Sequence, residues 1–199
     1  MNSSGAGKQS NMKVILFAYE FPPIQSAQSL RWFYLCNELA KLGFELDVIV
    51  PSLPDIWGFS PSYEQGINVV RTFPGFFVGF SGWIAASKYF RSKHPPKATS
   101  SKPNIVDNDH FIEIIYRLCR HILDTILYPD SRTEWFPFAW HKAKILHSQN
   151  KYDYIFSSHE PGVDLLLGLR AHRAWKIPWI VDLADPLVAP YTPRWRNRF

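Results

Sequence analysis

Apolar residues in this chain come in short continuous runs that alternate with stretches of helical period. Residues 13–19, KVILFAY, are rich in β-branched and aromatic side chains and predict a buried parallel strand. The loop EFPPIQSAQS follows, and Pro22 and Pro23 prevent the strand from continuing. A helix is predicted from about Ser26 to Leu42. Trp32, Leu35, Leu39 and Leu42 form its stripe, with Phe33, Cys36 and Ala40 beside it and Gly43 just past its end. ELDVIVP, residues 45–51, is the next strand, which completes a βαβ unit.

INVVR, residues 67–71, predicts a third strand, with irregular stretches at 52–66 and 72–106. From Asp109 a helix is marked by Phe111, Ile114, Ile115, Leu118, Ile122, Thr125 and Ile126, and Pro129 ends it. A further helix is expected over 137–149 and a strand, YDYIFSS, over 152–158. Pro161 then opens a helix whose apolar face is Val163, Leu166, Leu167, Ala171 and Ala174. PWIVDLAD, 178–185, reads as a last buried strand that ends in acids. This alternation predicts an α/β fold: a Rossmann-like, doubly wound parallel sheet. Ligands of such sheets sit in the crevice beyond the carboxyl ends of the strands.

Composition narrows the class. The 199 residues suit one domain, 46% of them are hydrophobic, and the 16 prolines imply long shaped loops. A net charge of +5 favours anionic partners, or describes only a solvated surface. No Arg/Lys run, zinc-finger or RNP pattern appears, so no nucleic-acid partner is expected. Cys36 and Cys119 lie in apolar helical contexts and read as buried small hydrophobes, which fits a reducing compartment. The polar first eleven residues read as a disordered tail without the apolar core of a signal peptide. No apolar run reaches the roughly 18 residues of a membrane span. The expected location is therefore cytoplasmic, with peripheral attachment at the inner face of the cell membrane open. Residues 73–90 are apolar but broken by Gly75, Gly79 and Gly82, and Lys88, Arg91, Lys93 and Lys97 follow. That is either an interfacial membrane segment or ordinary packing. Residues 94–103 are the most linker-like.

Three loops at strand ends carry candidate chemistry. After the first strand, Gln25, Ser26, Ala27 and Gln28 lie at a helix start, where free N–H groups and the helix dipole favour an anion. Arg31, one turn inside, can add a charged contact. The bland alternative makes Ser26 a cap and pairs Arg31 with a surface carboxylate. Neither a dinucleotide glycine fingerprint nor a P-loop is present, which sets a dehydrogenase aside. The second loop is Ser157, Ser158, His159, Glu160 and Pro161, in which His159 and Glu160 can bind hydroxyls or move a proton. The third holds Asp182 and Asp185 at the end of a core segment, where unpaired buried charge is costly. Asp182 alternatively pairs with a nearby Arg or a backbone N–H.

Together these segments resemble the N-terminal domain of GT-B glycosyltransferases of the family 4 type, which act on bacterial polysaccharides and related glycans. MKVILFAYEFPPIQSAQSLRWFYLCNELAKLGFELDVIVPS matches the opening strand, Phe-Pro-Pro loop, Arg-bearing helix and second strand. TILYPDSRTEWFPFAWHKA matches a Pro-Asp…Trp segment before a helix. KYDYIFSSHEPGVDLLLGLRAHRAWKIPWIVDLADP matches the Ser-Ser-x-x-Pro loop, helix and acidic strand end. The likeness covers most of residues 12–190. It implies the N-terminal half of a GT-B fold and retaining transfer of a sugar from a nucleotide-diphosphate donor to a hydroxyl of a glycan or lipid-linked acceptor. It implies no metal and no cofactor.

On this resemblance Asp185 and His159 are the catalytic candidates. Gln25, Ser26, Ala27, Gln28, Arg31, Ser158, Glu160 and Asp182 are the substrate-binding ones. Two positions depart from the pattern: Ser26 and Ala27 replace a glycine pair, and Asp182-Leu183-Ala184-Asp185-Pro186-Leu187 lacks the family's Arg and Trp. Residues 191–199 read as a tail toward a C-terminal donor-binding domain absent from the chain, without which sugar transfer is not expected. The competing reading is a non-catalytic Rossmann-like module that docks on a transferase or a membrane.

Overall fold

The computed structural model describes residues 12–55, 61–77, 127 and 131–183. Strand β1 (Lys13–Phe17) is followed by helix α1 (Ala27–Lys41), β2 (Glu45–Pro51) and β3 (Ile67–Thr72). A 3-10 turn (Ser131–Trp135) leads into α2 (Phe136–Gln149), then β4 (Tyr154–Ser158), α3 (Val163–Trp175) and β5 (Trp179–Asp182). The five strands form one all-parallel sheet in the order β3-β2-β1-β4-β5. This is the Rossmann-like α/β arrangement that the alternation of elements predicts.

β1 lies at the centre, hydrogen-bonded on both sides, which is why it is an unbroken apolar run. Its side chains alternate between two cores. Leu16 and Ala18 join Phe21, Leu46, Val48 and Val50 under Trp32 and Cys36 of α1. Ile15 and Phe17 join Ile49 and Ile155 under Ala139, Ala143, Leu167 and Ala171 of α2 and α3. Both faces of the sheet are thus covered, α1 on one and α2 with α3 on the other. Gly168 lets α3 approach β5: a Cβ there would lie 2.3 Å from the Trp179 indole nitrogen. That nitrogen donates instead to Ser157 Oγ at 2.9 Å.

Several expectations change. α1 does not bury the stripe of Leu35 and Leu42, which are 39% and 70% exposed. Its buried face is Gln28, Ser29, Trp32, Cys36 and Asn37. Its polar members have distant partners: Asn37 Oδ1 accepts from the Glu64 N–H at 2.9 Å, and Gln28 reaches β4. β5 is an edge strand and not a buried one. Among the described residues its one neighbour is β4, and it leaves Ile180 exposed, with Trp179, Val181 and Asp182 partly covered. β4 starts at Tyr154, two residues later than expected. α3 starts at Val163 after Gly162, so Pro161 precedes its first turn instead of forming it; Ala174 is exposed.

The helix expected from Asp109, Cys119, the basic run Lys88, Arg91, Lys93 and Lys97, and Asp185 lie outside the described residues. Among the described residues no helix is long and apolar enough to cross a membrane.

Candidate functional site

The chain passes outward from β1 through β2 to β3, then returns to place β4 on the other side of β1. The winding reverses between β1 and β4, and there the loops leave in opposite directions and open a crevice at the carboxyl edge. The loops after β1 and β4 rim this point, and β5 ends beside it. The Pro22–Pro23 and Glu160–Pro161 peptides, one on each side of it, are both cis.

Four of the sequence candidates meet here. Gln28 Nε2, on the first turn of α1, donates to Ser158 Oγ at 2.8 Å and lies 3.5 Å from Asp182 Oδ2. Arg31, three residues on and so on the same helix face, places its NH2 group 2.5 Å from Asp182 Oδ1. Residues 28 and 31 of α1, 158 of β4 and 182 of β5 thus form one polar cluster, drawn from positions up to 154 residues apart. The Ser158 hydroxyl turns on toward the Glu160 carbonyl at 3.4 Å. The pairing of Arg31 with a carboxylate, which the bland reading expects, occurs, but the partner is another site candidate.

The other candidates divide. Ser26 is the α1 cap: its Oγ accepts from the Ser29 N–H at 3.0 Å, as the capping reading has it. Gln25 and Ala27 are exposed and make none of the cluster's hydrogen bonds. Glu160 is exposed, and only its backbone carbonyl enters the network. His159 is 7% exposed, yet its Nδ1 has no hydrogen-bond partner among the described residues. A buried imidazole nitrogen without a partner is unusual, because such groups normally find one. Asp185 falls outside the described residues.

The structure adds residues that the sequence did not single out. Asp164, in the first turn of α3 and fully buried, accepts the Tyr19 backbone N–H with both carboxylate oxygens, at 2.9 and 3.1 Å. This ties α3 to the start of the β1 loop across the switch point. Tyr19 packs edge-on to Trp135 at 5.4 Å, and the Arg132 guanidinium sits over the Tyr19 ring at 5.4 Å. Arg132 also approaches Glu20 at 3.6 Å. From β3, Arg71 donates to the Pro22 carbonyl at 2.9 Å. The β1 loop is therefore tied to α3, β3 and the turn before α2. The one sequence signal for Asp164 was its place as the acid of a helix first turn, which is ordinarily a dipole effect and not a long-range tether.

Two features elsewhere in the fold do not contribute to the site, and Cys36 is buried as its apolar context predicts. Burial pushes the Cys36 thiol up to about 12, so it stays protonated and is not a nucleophile. A hollow of about 470 Å³ lies at the opposite, amino-terminal edge of the sheet, lined by Lys13, Glu45, Asp47 and Asn68. Its polar groups satisfy one another: Asp47 accepts from Tyr152 Oη at 2.6 Å and Asn68 Nδ2 at 2.6 Å, with Lys13 at 3.7 Å. Burial, then the bond to Asp47, raises the Tyr152 phenol well above its ordinary value. That network stitches β1, β2, β3 and the segment before β4, and it lies far from the switch point. Among the described residues no group of three His, Cys, Asp or Glu is arranged to hold a metal ion.

No family model matches the sequence, and no curated protein matches it. Among solved structures, the C-terminal domain of a hydrogenase from Pyrococcus furiosus overlaps 87% of this chain and 91% of its own length, at 9% identity and a TM-score of 0.41. A likeness that slight carries no argument.

Proposed function

We propose that this chain is the acceptor-side domain of a retaining GT-B glycosyltransferase of the family 4 type. The reaction is transfer of a sugar from a nucleotide-diphosphate donor to a hydroxyl of a glycan or lipid-linked acceptor. The observation that carries the reading is the meeting of Gln28 and Arg31 near the start of α1 with Ser158 and Asp182 at the ends of β4 and β5, beside the switch point. Amide, hydroxyl, guanidinium and carboxylate groups in one cluster suit a ligand with several hydroxyls and an anionic group, because each can donate to or accept from such a ligand. His159, buried beside Ser158 and with an Nδ1 that has no hydrogen-bond partner among the described residues, is our candidate to take a hydrogen bond from substrate. Asp185 is the second catalytic candidate and rests on the sequence resemblance alone. In this reading a facing donor-binding domain completes the cleft and excludes water, and no metal or cofactor takes part. Attachment to the inner face of the cell membrane through residues 73–97 belongs to the same proposal.

The test is sugar transfer by this chain joined to a GT-B donor-binding domain, across a panel of nucleotide-diphosphate sugars and glycan acceptors. Transfer that falls at least 100-fold in the His159→Ala, Asp185→Ala double variant supports the reading, in keeping with the ~10²–10⁴-fold worth of a positioned acid or base. Full activity of that variant overturns the residue assignments. Failure of every donor and acceptor pair leaves the non-catalytic docking module as the better description.

A further inference from the structure

We propose that Arg31 and Asp182 form a latch across the crevice, which a diphosphate opens by taking Arg31 and so releasing the Asp182 carboxylate for a hydroxyl ligand. The inference rests on the glycosyltransferase reading only for the source of the diphosphate; the latch itself is argued from the contacts.

Both oxygens of Asp182 are engaged by α1. Oδ1 takes the Arg31 guanidinium at 2.5 Å, and Oδ2 faces the Gln28 amide at 3.5 Å. The same amide nitrogen is already committed to Ser158 Oγ at 2.8 Å. Asp182 belongs to edge strand β5, and α1 reaches it over the end of β4, so these contacts close that side of the crevice. A hydroxyl can take the Oδ1 position that the guanidinium occupies only after Arg31 turns away. Gln28 is buried and fixed by Ser158, whereas the Arg31 side chain is 50% exposed. Arg31 is therefore the partner that moves.

The pair is built to be exchanged. One NH2 group of Arg31 bonds Asp182, and the rest of the planar fork is available to an incoming anion. A diphosphate offers more charge and more acceptor oxygens than one carboxylate, and guanidinium geometry matches phosphate. Exchange leaves the Asp182 Oδ1 position open toward the crevice and more exposed than the 17% of the side chain that is exposed beneath Arg31. The acceptor position that Arg31 vacates can then take a sugar hydroxyl. Binding of the anion and of the hydroxyl ligand is thereby coupled, with the anion first.

The 199-residue chain can be tested with inorganic pyrophosphate by isothermal titration calorimetry. Asp182→Asn removes the competing charge but keeps the side-chain shape. It is expected to bind pyrophosphate about fivefold more tightly than wild type, the factor set by an ion pair of this exposure. Arg31→Gln is expected to abolish binding in both backgrounds. Asp182→Ser, also neutral, is read in the same way should Asn disturb the edge strand. Equal or weaker binding by the neutral variants overturns the latch, as does binding that survives Arg31→Gln or an absence of binding in wild type and Asp182→Asn alike. Sugar transfer is measured separately with a donor-binding domain supplied. Loss of the latch with transfer intact leaves the function standing. A working latch without transfer leaves an anion-gated crevice without the sugar chemistry.

Discussion

Replacing Asp164 with Ala tests whether the crevice is held open by a buried tether. Asp164 is 0% exposed, and both of its oxygens accept the Tyr19 N–H. Alanine removes a charge-assisted bond, worth about 1.5–3 kcal/mol, and strands a buried donor that costs about 1–3 kcal/mol. These are two views of one loss and do not add, so the expected destabilisation is about 2–3 kcal/mol. For a chain of this size that corresponds to a fall in Tm of roughly 4–12 °C. Urea unfolding followed by Trp fluorescence gives the free energy directly, through a lower midpoint at unchanged slope. Asp164→Asn keeps an oxygen for the Tyr19 N–H and should cost clearly less than Ala. Hydrogen exchange provides the local check: the Tyr19 amide should exchange faster in Asp164→Ala, while amides of β2 keep their protection. A loss under about 0.5 kcal/mol, with the Tyr19 amide still protected, refutes the tether.

Two further outcomes follow from buried ionisable groups. Cys36, with its thiol pushed up to about 12, should not react with a disulfide reagent at about pH 8 in the native protein and should react fully in urea; rapid native reaction contradicts its burial. Tyr152 keeps its proton in the folded state to a higher pH than in the unfolded chain, so the folded state binds more protons above about pH 10 and stability falls as pH rises from there. Tyr152→Phe should flatten that alkaline fall in urea midpoints taken across pH, while leaving Asp47 without its 2.6 Å donor at neutral pH; an unchanged pH slope refutes the assignment.

Much of the fold was legible because its signals are local. Continuous apolar runs mark β1 and β2, which have strands on both sides, and the helix expected at 137–149 is found as Phe136–Gln149. What failed was what depends on pairing order. PWIVD has the composition of a core strand, and nothing within it says that β4 is its one neighbour among the described residues. The face of α1 was misjudged for a related reason. Periodicity weights Leu35 and Leu42 as buried and Gln28, Ser29 and Asn37 as exposed. Trp32 and Cys36 are buried and Leu39 and Ala40 pack on the core as expected, but the buried face extends to Gln28, Ser29 and Asn37, where Gln28 and Asn37 have partners in Ser158 and the Glu64 N–H. Of the site, the strand-end loops could be named from their position, since a parallel sheet puts its crevice there. Their mutual contacts could not, because Arg31 and Asp182 are 151 residues apart.

Asp164 and Asp182 show how burial separates two identical side chains at one edge of a sheet. Asp164 has no exposure and is bonded to a backbone N–H that cannot leave without moving the loop, so its charge belongs to the scaffold. Asp182 is bonded to a flexible, half-exposed guanidinium that can turn away at little cost, because water and salt weaken such a pair. The inner carboxylate fixes where the β1 loop begins; the outer one waits at the rim with a partner that an anion can take. A ligand that draws Arg31 away therefore acts on a contact separate from the Asp164 tether, on the strand that carries Asp182. That division accounts for the expected contrast between the two positions: Asp164→Ala should lower stability, whereas Asp182→Asn should leave stability within about 1 kcal/mol of wild type and change anion binding instead.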